Sequence, residues 1–583
     1  MFSKELAIPY HNLEWFEYMN TESRLQEGIS LHQEGKLDQA ELIYQQILQV
    51  NPENDEVLNL LGLIAYQIGK YQIATELINQ AIDMDSSQSS FFNNLGLVLQ
   101  KQDRLGEAIQ AYRQSLELNP NDADVYSNFG TALKEHGQLE EAIDAYNTAI
   151  EIQSDHKEVY YNLGIALKKQ GQLEEAIQVY YKAIDITPNN TKIYNNLGNI
   201  YQEQDRLEDA VYMYQKAIKI QPRADIYNNL GIALKEQGQL EEAIQVYYKA
   251  IEIQPQFANA QNNIGLILFL QGDFKNGWQQ YQWRWKCDDF PSENRPFHQP
   301  SWNGSNPSAK TILVWAEQGI GDEIMFASML NDLRQSNANI MVECEQRLIS
   351  LFQRSFPDIQ FFCRTNPPDQ QLLNSNIDYQ ISMGSLGQWL RTDLDSFKQG
   401  QSYYLTACPD KTAELRNKYQ QLANGRKLVG ISWKSTDISQ RRAKSKSTSL
   451  EYWASVLSQP NCYFINLQYG DVATEVTKFE SDTNLKVYQD KEIDPLVNLD
   501  GFAAQISALD LVISTSNTTV HMAGALGKRV WTLLPHIPDW RWTLDREEAL
   551  WYPAMRLFRQ SSIGDWQDVF KRVSHTLSQS GMV

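Results

Sequence analysis

Asp322 is an acid at a predicted helix start, a position where catalytic residues are expected. Thr311–Ala316 is an apolar, β-prone run, a glycine-bearing turn follows it, and Asp322 opens a segment of helical periodicity. A strand, a tight turn and a helix put such an acid at the carboxyl end of a strand, where open α/β sheets bind ligands. Asp322 is therefore a candidate general base for an acceptor hydroxyl. The alternative is a structural acid that favours the helix start.

Cationic and hydroxyl groups that suit a diphosphate occur further along the chain. A helix predicted to begin near Thr518 offers free N–H groups and the positive end of its dipole, and the Thr518 and Thr519 hydroxyls add donors. The predicted loop Gln440–Lys446, QRRAKSK, concentrates four basic residues, among them Lys446, after a predicted strand. Lys434, just past the same strand, is a second candidate. The alternative for the loop is a solvated basic run.

Other residues near this helix start have two interpretations each. Ser516 and Asn517 precede the helix, and His521 lies one turn into it. His521 either contacts a ligand or packs and hydrogen-bonds within the protein. The run Asp539–Trp542 either stacks on a base or sugar or packs as core against the other lobe.

Some residue patterns look like metal or dinucleotide motifs, but each lacks the other residues or the position that such a site needs. Asp393 and Asp395 form an Asp-x-Asp by letters alone, away from a strand end. Gly319 and Gly321 lack the third glycine and the downstream acid of a dinucleotide site, and no Walker lysine follows. The five cysteines have no Cys-x-x-Cys spacing, which fits neither a zinc site nor a disulfide framework. The sequence requires no metal and no cofactor.

Alternating strands and helices position these residues. The predicted strands are Thr311–Ala316, Asn339–Glu343, Ile359–Cys363, Ile377–Ser382, Lys427–Ser432, Tyr463–Leu467, Leu485–Tyr488, Leu509–Ser514 and Arg529–Leu534. The predicted helices lie near Glu323–Gln335, Gln346–Ser355, Leu450–Ser458, Asp500–Leu509 and Thr518–Leu526. Repeated βα units imply two Rossmann-like lobes with mostly parallel sheets and a cleft between them. We expect these lobes at residues 310–410 and 411–583.

The first half of the chain is a repeat array. Glycines recur every 34 residues, with one step of 33, at Gly28, Gly62, Gly96, Gly130, Gly164, Gly198, Gly231 and Gly265. An alanine stands twelve residues after each of the first seven, and an aromatic residue usually stands four beyond that. The small residues let two helices approach closely, and we expect the tyrosines to fill the gap between units. The eighth unit ends in Trp283-Arg284-Trp285, which predicts a cap packed against the next domain.

An asparagine lies two residues before each of six successive glycines. These residues are Asn94, Asn128, Asn162, Asn196, Asn229 and Asn263. Asparagine is a mediocre helix former, so helix propensity does not explain six in register. A ladder of carboxamides can pair with the N–H and C=O groups of an extended peptide. The alternative is a duplicated structural asparagine that bonds between helices.

The repeat pattern resembles the tetratricopeptide repeat over roughly residues 21–285, with about eight units. The resemblance implies an α solenoid, a superhelix whose concave face binds a protein or peptide partner. The repeats of the protein O-GlcNAc transferases carry a similar asparagine ladder used for acceptor peptides. We expect an N-terminal extension at residues 1–20, the array at 21–287 and a linker at 288–309.

The second half resembles the GT-B glycosyltransferases, and its motifs are similar to those of heptosyltransferase-like enzymes over about residues 310–560. Gly321-Asp322 matches their first turn, Lys446 with Trp453 matches a lysine seven residues before a tryptophan, and Ser516–Ala525 matches in part a turn-helix motif. Ser516 replaces an aspartate of that family and Thr518 a glycine. The resemblance implies metal-independent, inverting transfer from a nucleotide sugar, with Asp322 as base and with Lys446, Thr518, Thr519 and His521 on the diphosphate.

Composition limits the remaining classes of partner. The chain has 583 residues and a net charge of −21, which disfavours nucleic acid and anionic membrane surfaces. No apolar run is long enough to span a membrane, the N-terminus does not suggest a secretory signal, and we expect a cytoplasmic protein. Two hypotheses follow: a glycosyltransferase whose solenoid recruits the acceptor, or a scaffold with an inactive glycosyltransferase fold. The loss of aspartate at Ser516 favours the scaffold, and Asp322 with Lys446 favours the enzyme.

Overall fold

The computed structural model describes residues 21–373, 376–398, 403–435 and 440–579, without the side chains of residues 440 and 442. The N-terminal extension expected at residues 1–20 lies outside this range. The chain divides into two compact units, the first ending at Gln204 and the second beginning at Asp205. The division therefore falls inside the repeat array, so the second unit contains the last repeats together with the α/β part.

Helices fill the chain from residue 21 to residue 281. Sixteen are found in the described part of this range: α1 Thr21–Gln33, α2 Leu37–Val50, α3 Asp55–Gln67, α4 Tyr71–Met84, α5 Ser89–Lys101, α6 Leu105–Leu118, α7 Ala123–His136, α8 Leu139–Ile152, α9 Lys157–Gln170, α10 Leu173–Ile186, α11 Thr191–Glu203, α12 Leu207–Ile220, α13 Ala224–Glu236, α14 Leu240–Ile253, α15 Ala258–Leu270 and α16 Phe274–Tyr281. In chain order they fall two to each predicted repeat, and the sixth repeat has one helix in each unit.

A glycine and a tyrosine join the two helices of most pairs. A Cβ added at Gly164 in α9 would lie 2.5 Å from Cε1 of Tyr180 in α10, and Gly96 meets Tyr112 in the same way at 2.6 Å. The tyrosine rings are fully buried. Each of these rings packs on the glycine of its own repeat, and the Tyr180 hydroxyl also accepts from Asn196 of the next repeat at 3.1 Å.

The last repeat packs against the first lobe, as the sequence predicts for a cap. Trp278 is fully buried and its Nε1 donates to the Arg391 carbonyl at 2.7 Å. Arg284 is also buried and forms an ion pair of 2.7 Å with Glu317. The Trp285 ring lies 5.2 Å from that of Trp315, between centroids. Apolar and charged contacts together fix the end of the array to the α/β part.

The first lobe contains a parallel sheet of four strands. Its elements are β1 Thr311–Trp315, α17 Ile320–Ala327, α18 Leu330–Gln335, β2 Asn339–Cys344, α19 Ile349–Ser355, β3 Gln360–Cys363, β4 Tyr379–Ser382 and α20 Gly387–Leu390. The strand order is β3-β2-β1-β4, so β1 is central. The residues expected as a linker continue this lobe, because Ser301 pairs with Gln380 beside β4 and Trp302 is buried.

The second lobe contains a parallel sheet of five strands in the order β6-β5-β7-β8-β9. Its elements are α21 Pro409–Ala423, β5 Lys427–Ser432, α22 Gln440–Lys446, α23 Ala454–Leu457, β6 Cys462–Asn466, α24 Ala473–Thr483, α25 Leu499–Ser507, β7 Leu511–Thr515, α26 Thr518–Ala525, β8 Val530–Leu534, β9 Met555–Arg559 and α27 Trp566–Gln579. An α-helical repeat array followed by two lobes with parallel sheets is confirmed.

Several predicted elements differ from the structure. Gln440–Lys446 is a short helix and not a loop. Leu485–Tyr488 is not a strand, because only Tyr488 pairs, through one bridge to Ile465. The helix predicted over Glu323–Gln335 is two helices, which break at residues 328–329. Among the described residues, no helix is both long and apolar enough to cross a membrane.

Candidate functional site

Helix α17 begins at the carboxyl end of the central strand of the first sheet. The turn between β1 and α17 includes Gln318 in the left-handed region, with φ +63°, and Gly319 as the N-cap. Asp322 is the third residue of the helix, and its Oδ2 accepts the Gly319 N–H at 3.3 Å. The carboxylate therefore serves the helix start, as the structural alternative requires, while its Oδ1 faces the second lobe.

Helix α26 begins at the carboxyl end of β7, the central strand of the second sheet. Asn517 is its N-cap and accepts the Thr519 N–H on Oδ1 at 2.9 Å. The Nδ2 of Asn517 donates to Ser432 Oγ at 2.8 Å and to the Lys434 carbonyl at 3.0 Å. Asn517 thus ties the helix start to the end of β5.

These two helix starts lie against each other. A Cβ added at Gly321 would lie 3.0 Å from His521 Cδ2 and 3.7 Å from Thr518 Cα. Only glycine allows α17 this close approach to α26 without displacing the His521 ring. The structure therefore brings the helix start of Asp322 against that of Thr518 and His521, although Asp322 and Thr518 are 196 residues apart in the chain.

A row of alternating charges crosses this contact between the lobes. Arg541 pairs through Nη2 with Asp322 and through Nη1 with Asp539. Lys446 Nζ, at the end of α22, lies 3.7 Å from Asp539 Oδ2. The side chains of all four are at most 22% exposed. Asp322 and Lys446 are thereby joined through two residues of the Asp539–Trp542 run.

Burial and pairing set the proton affinities of these acids. Burial raises the pKa of Asp322, and the Arg541 guanidinium opposes this shift. Burial also acts to raise the pKa of Asp539, but Arg541 and Lys446 together outweigh it and hold that pKa well below its usual range. Asp539 is thus the permanent anion between the two cations, and Asp322 is the more basic carboxylate.

His521 fills a buried position inside the second lobe. Its Nδ1 lies 2.9 Å from the Tyr552 hydroxyl, and its ring stacks on Trp542 with centroids 5.4 Å apart. Burial lowers its pKa to about 3, with Arg541 acting in the same direction, so the imidazole is neutral at neutral pH. These contacts favour the packing interpretation of His521.

The aromatic residues of the Asp539–Trp542 run are core residues. Trp540 is 5% exposed, and its ring lies 4.7 Å from that of Phe269 in the last repeat. Trp542 is 1% exposed and donates through Nε1 to Ser516 Oγ at 2.8 Å. The interpretation of these tryptophans as a stacking platform is wrong, because neither ring face is open. Ser516 accordingly orients Trp542.

The threonines at the start of α26 differ in their exposure. Thr518 is partly buried, whereas Thr519 is fully buried. Among the described residues, the Thr519 Oγ1 has no hydrogen-bond partner, and the same is true of Thr515 Oγ1 at the end of β7. Both of these side chains are 0% exposed, so a ligand at this helix start would meet Thr518, and the expected contact of Thr519 with a diphosphate is corrected.

Lys434 lies to one side of this group. Its Nζ is 2.5 Å from Glu475 Oε2 in α24, and its side chain is 45% exposed. Among the described residues, its contact with the candidate site is the bond from Asn517 Nδ2 to its backbone carbonyl. Among the described residues, no group of three or more His, Cys, Asp and Glu residues could hold a metal ion.

The asparagine ladder makes hydrogen bonds within the array. In the first unit, Asn94 donates to Asn59 at 3.0 Å, Asn128 to Asn93 at 3.1 Å and Asn196 to the Tyr180 hydroxyl at 3.1 Å, while Asn162 accepts from Lys134 at 2.9 Å. In the second unit, Asn263 donates to Asn228 at 3.0 Å. Asn229, like the others, is partly buried. These bonds between neighbouring helices favour the structural interpretation, although one bond does not saturate a carboxamide.

Gln318 and Tyr552 are contacts that sequence reasoning did not assign to this site, and Arg541 entered it only as part of the run Asp539–Trp542. Gln318 Nε2 donates to the Tyr281 hydroxyl at 2.6 Å and so connects the last repeat to the turn before Asp322. The sequence held one signal for Arg541: it and Asp539 are charged residues on either side of Trp540, in a run of aromatic residues. Charged residues next to a buried tryptophan need charged partners. The partner of Arg541, Asp322, is 219 residues away, beyond any sequence pattern.

Comparison with known proteins agrees with the helical half of this description. Models described as tetratricopeptide repeat match residues 25–88, 89–122, 111–144 and 192–256, and one described as TPR repeat matches 130–171 and 166–205. The array consists of tetratricopeptide repeats. Repeats of this kind stack as helix pairs, each packed on its neighbours.

Individual proteins share parts of this chain. Protein FlbA of Caulobacter vibrioides is 31% identical over 336 residues, which cover 55% of this chain and 54% of FlbA. The chain thus spans about half the length of this curated relative. The crystal structure of YrrB, a TPR protein with an unusual peptide-binding site, is 22% identical over 31% of this chain and 92% of its own, with a TM-score of 0.28. That of MamA is 27% identical over 30% of this chain and 94% of its own, with a TM-score of 0.27.

Proposed function

We propose that the α/β part is a glycosyltransferase that moves a sugar from a nucleoside-diphosphate donor to an acceptor hydroxyl, with inversion. The observation that carries this proposal is the contact of the two helix starts, which sets the helix of Asp322 against that of Thr518. Arg541 lies on Asp322, and Lys446 follows in the same row of charges through Asp539. One lobe supplies a carboxylate with a raised pKa, and the other supplies the donors and positive charges that suit a diphosphate.

In the proposed reaction, the acceptor oxygen attacks the anomeric carbon of the donor sugar. The new C–O bond forms as the bond from that carbon to the diphosphate oxygen breaks, and the electron pair leaves with the diphosphate. The acceptor proton passes to the Asp322 carboxylate. Lys446, Arg541 and the α26 start stabilise the leaving charge, so these residues, and not a metal ion, are assigned that role.

Arg541 has to release Asp322 for this reaction. A diphosphate competes with Asp322 for the guanidinium because both are anions of suitable geometry. Binding of the donor would therefore move Arg541 onto the diphosphate and leave the Asp322 carboxylate free to accept the proton. The tetratricopeptide repeats are assigned the recruitment of a protein acceptor, since such arrays bind protein segments.

The test is a calorimetric titration of ADP, UDP and GDP into the full chain and into Lys446→Ala. We expect micromolar binding of one nucleotide and at least about tenfold weaker binding in the variant, because one charged hydrogen bond is lost. Lys444→Ala is the matched control, since Lys444 is exposed on the same helix. Equal weakening in both variants would reject a specific role for Lys446. Asp322→Asn should then abolish sugar transfer while it retains nucleotide binding.

A scaffold without catalysis is the second candidate, and the Asp322–Arg541 pair favours it. A carboxylate that is already bound to a guanidinium is a buried structural ion pair until a ligand separates them. Failure of all three nucleotides to bind to the folded chain would put the scaffold ahead of the enzyme.

A further inference from the structure

A basic hollow lies at the amino-terminal ends of three strands of the second sheet. Its volume is about 820 Å³, and its charged lining residues are Arg416, Lys427, Asp510, Lys528 and Arg529. Lys427 begins β5, while Asp510 and Arg529 directly precede β7 and β8. These strands are parallel, so the hollow and the candidate site lie at opposite ends of the sheet, about 15 Å apart along a five-residue strand.

The charge of the hollow is opposite to that of the whole chain. Four cationic side chains and one carboxylate line it, in a protein with a net charge of −21. The carboxylate is already engaged: Asp510 Oδ2 accepts the Leu428 N–H at 2.8 Å, and its Oδ1 lies 2.7 Å from Arg416 Nη1. An excess of positive charge remains, and like charges at close range repel one another.

Lys528 is a partly buried cation of the hollow. Its Nζ donates to the Ser507 carbonyl at 3.1 Å. Burial lowers its pKa, Asp510 opposes this shift, and Arg416 adds to it. An anion in the hollow would stabilise the charged form of this lysine.

The turn that carries two of the cations is held in place. Gly527 has φ +71°, and a Cβ there would lie 2.8 Å from Tyr403 Cβ. The Lys528 N–H donates to the Ala523 carbonyl at 3.0 Å, which fixes the backbone at the end of α26. Lys528 and Arg529 therefore project from a rigid turn, with Arg529 exposed at the rim.

We propose that this hollow binds a compact polyanion that carries two or more phosphate groups. Guanidinium and ammonium groups are the usual ligands of phosphate, and the volume falls within the range of small-molecule sites. The negative field of the chain acts against long polyanions such as nucleic acid, so a small ligand is favoured. This proposal does not depend on the proposed function.

The experiment is a calorimetric titration of inorganic pyrophosphate into the full chain and three variants. Arg529→Glu should raise the dissociation constant at least about tenfold, because it replaces a rim cation with an anion. Lys478→Glu makes the same change of charge on the exposed face of α24 and should alter binding less than about twofold. Lys446→Ala should leave one pyrophosphate bound in the hollow, because Lys446 lies at the other end of the sheet.

Each other outcome counts against the proposal. Loss of binding in Lys446→Ala with full binding in Arg529→Glu would place pyrophosphate at the candidate donor site. Equal losses in Arg529→Glu and Lys478→Glu would reveal general charge attraction only, and absence of binding in the unmodified chain would overturn the proposal outright. Binding of vesicles that contain phosphatidic acid, without binding of pyrophosphate, would identify a lipid surface in place of a small ligand.

Discussion

Glu323, the residue after the candidate base, is an acid inside the core of the first lobe. It is 3% exposed, and its Oε2 accepts the Glu345 N–H at 2.9 Å. Burial raises its pKa to about 8, against the opposing effects of that N–H and of Arg364. The carboxyl group is therefore largely protonated in the folded protein at neutral pH, and one neutral acid lies beside the charged Asp322.

A pH-dependent stability follows from Glu323. Between the ordinary pKa of 4.5 and about 8, the folded state binds more protons than the unfolded state, so this residue makes the free energy of unfolding fall as the pH rises. Glu323→Gln removes that fall. Relative to the unmodified chain, the variant should gain roughly 2–4 kcal/mol between pH 5 and pH 8.5. Urea unfolding at several pH values measures this gain.

Glu293→Gln is the control for that series, because Glu293 is exposed. Its stability should follow that of the unmodified chain at every pH. Parallel profiles for Glu323→Gln and the unmodified chain would contradict the raised pKa.

At the scale of elements, the contact between glycine and tyrosine determines how closely the helices of a repeat approach. Gly164→Ala puts a methyl group 2.5 Å from the Tyr180 ring and should destabilise the chain by about 1–3 kcal/mol. Gly106→Ala is the matched change, because nothing lies within 4 Å of a Cβ there. This second variant should be stabilised by about 0.5–1 kcal/mol through helix propensity. Thermal unfolding of both variants tests the contact, and equal effects would reject it.

Helix α22 links the repeats to the candidate site. Near one end, Arg441 makes two hydrogen bonds of 2.7 Å to Glu236 in α13, and at the other end Lys446 faces Asp539. Arg441→Glu should destabilise the chain by about 1–2 kcal/mol, because the new carboxylate would face the carboxylate of Glu236 at a partly buried position. Adding Glu236→Arg should restore at least half of this loss. A double-mutant cycle of urea unfolding that shows additive effects would mean that the pair is not coupled.

The elements that sequence could predict are those with a strong local signal. The 34-residue period located every repeat, and buried apolar runs located the strands that precede Asp322 and Thr518. Leu485–Tyr488 has the same apolar character, but it lies at the sheet edge and pairs through one residue. Gln440–Lys446 has no apolar face, so nothing local distinguished a helix from a loop. The Arg541–Asp322 pair depends on how the two lobes meet, which no local pattern records.

At the scale of the whole molecule, the end of the array and the α/β part share one core. The cluster that contains Phe269, Phe274 and Trp278 of the last repeat also contains residues of both lobes, among them Trp540 and Trp551. The last repeat and the lobes are therefore joined by packing as well as by the chain. A domain boundary placed at residue 287 divides a single packed interior.

Fragments of the chain test this shared core. A fragment that begins at Asp205 retains the last repeats and should unfold in one cooperative transition. A fragment that begins at Asp288 exposes Trp540 and leaves Glu317 buried without Arg284, which costs about 3–5 kcal/mol for the lost ion pair alone. We expect this shorter fragment to aggregate or to bind a dye for exposed apolar surface. Tryptophan fluorescence measures the thermal unfolding of both fragments. Equal melting temperatures would show that the lobes fold stably without the last repeats.

The shared core also has a consequence for synthesis on the ribosome. Phe269 leaves the ribosome before Trp540, the ring it lies against, and 271 residues separate the two. At a translation rate of about 5–20 residues per second, the apolar end of the array waits on the order of tens of seconds for its partner. During that time the last repeat presents Phe269, Phe274 and Trp278 to water, and this surface is where a chaperone would engage the nascent chain.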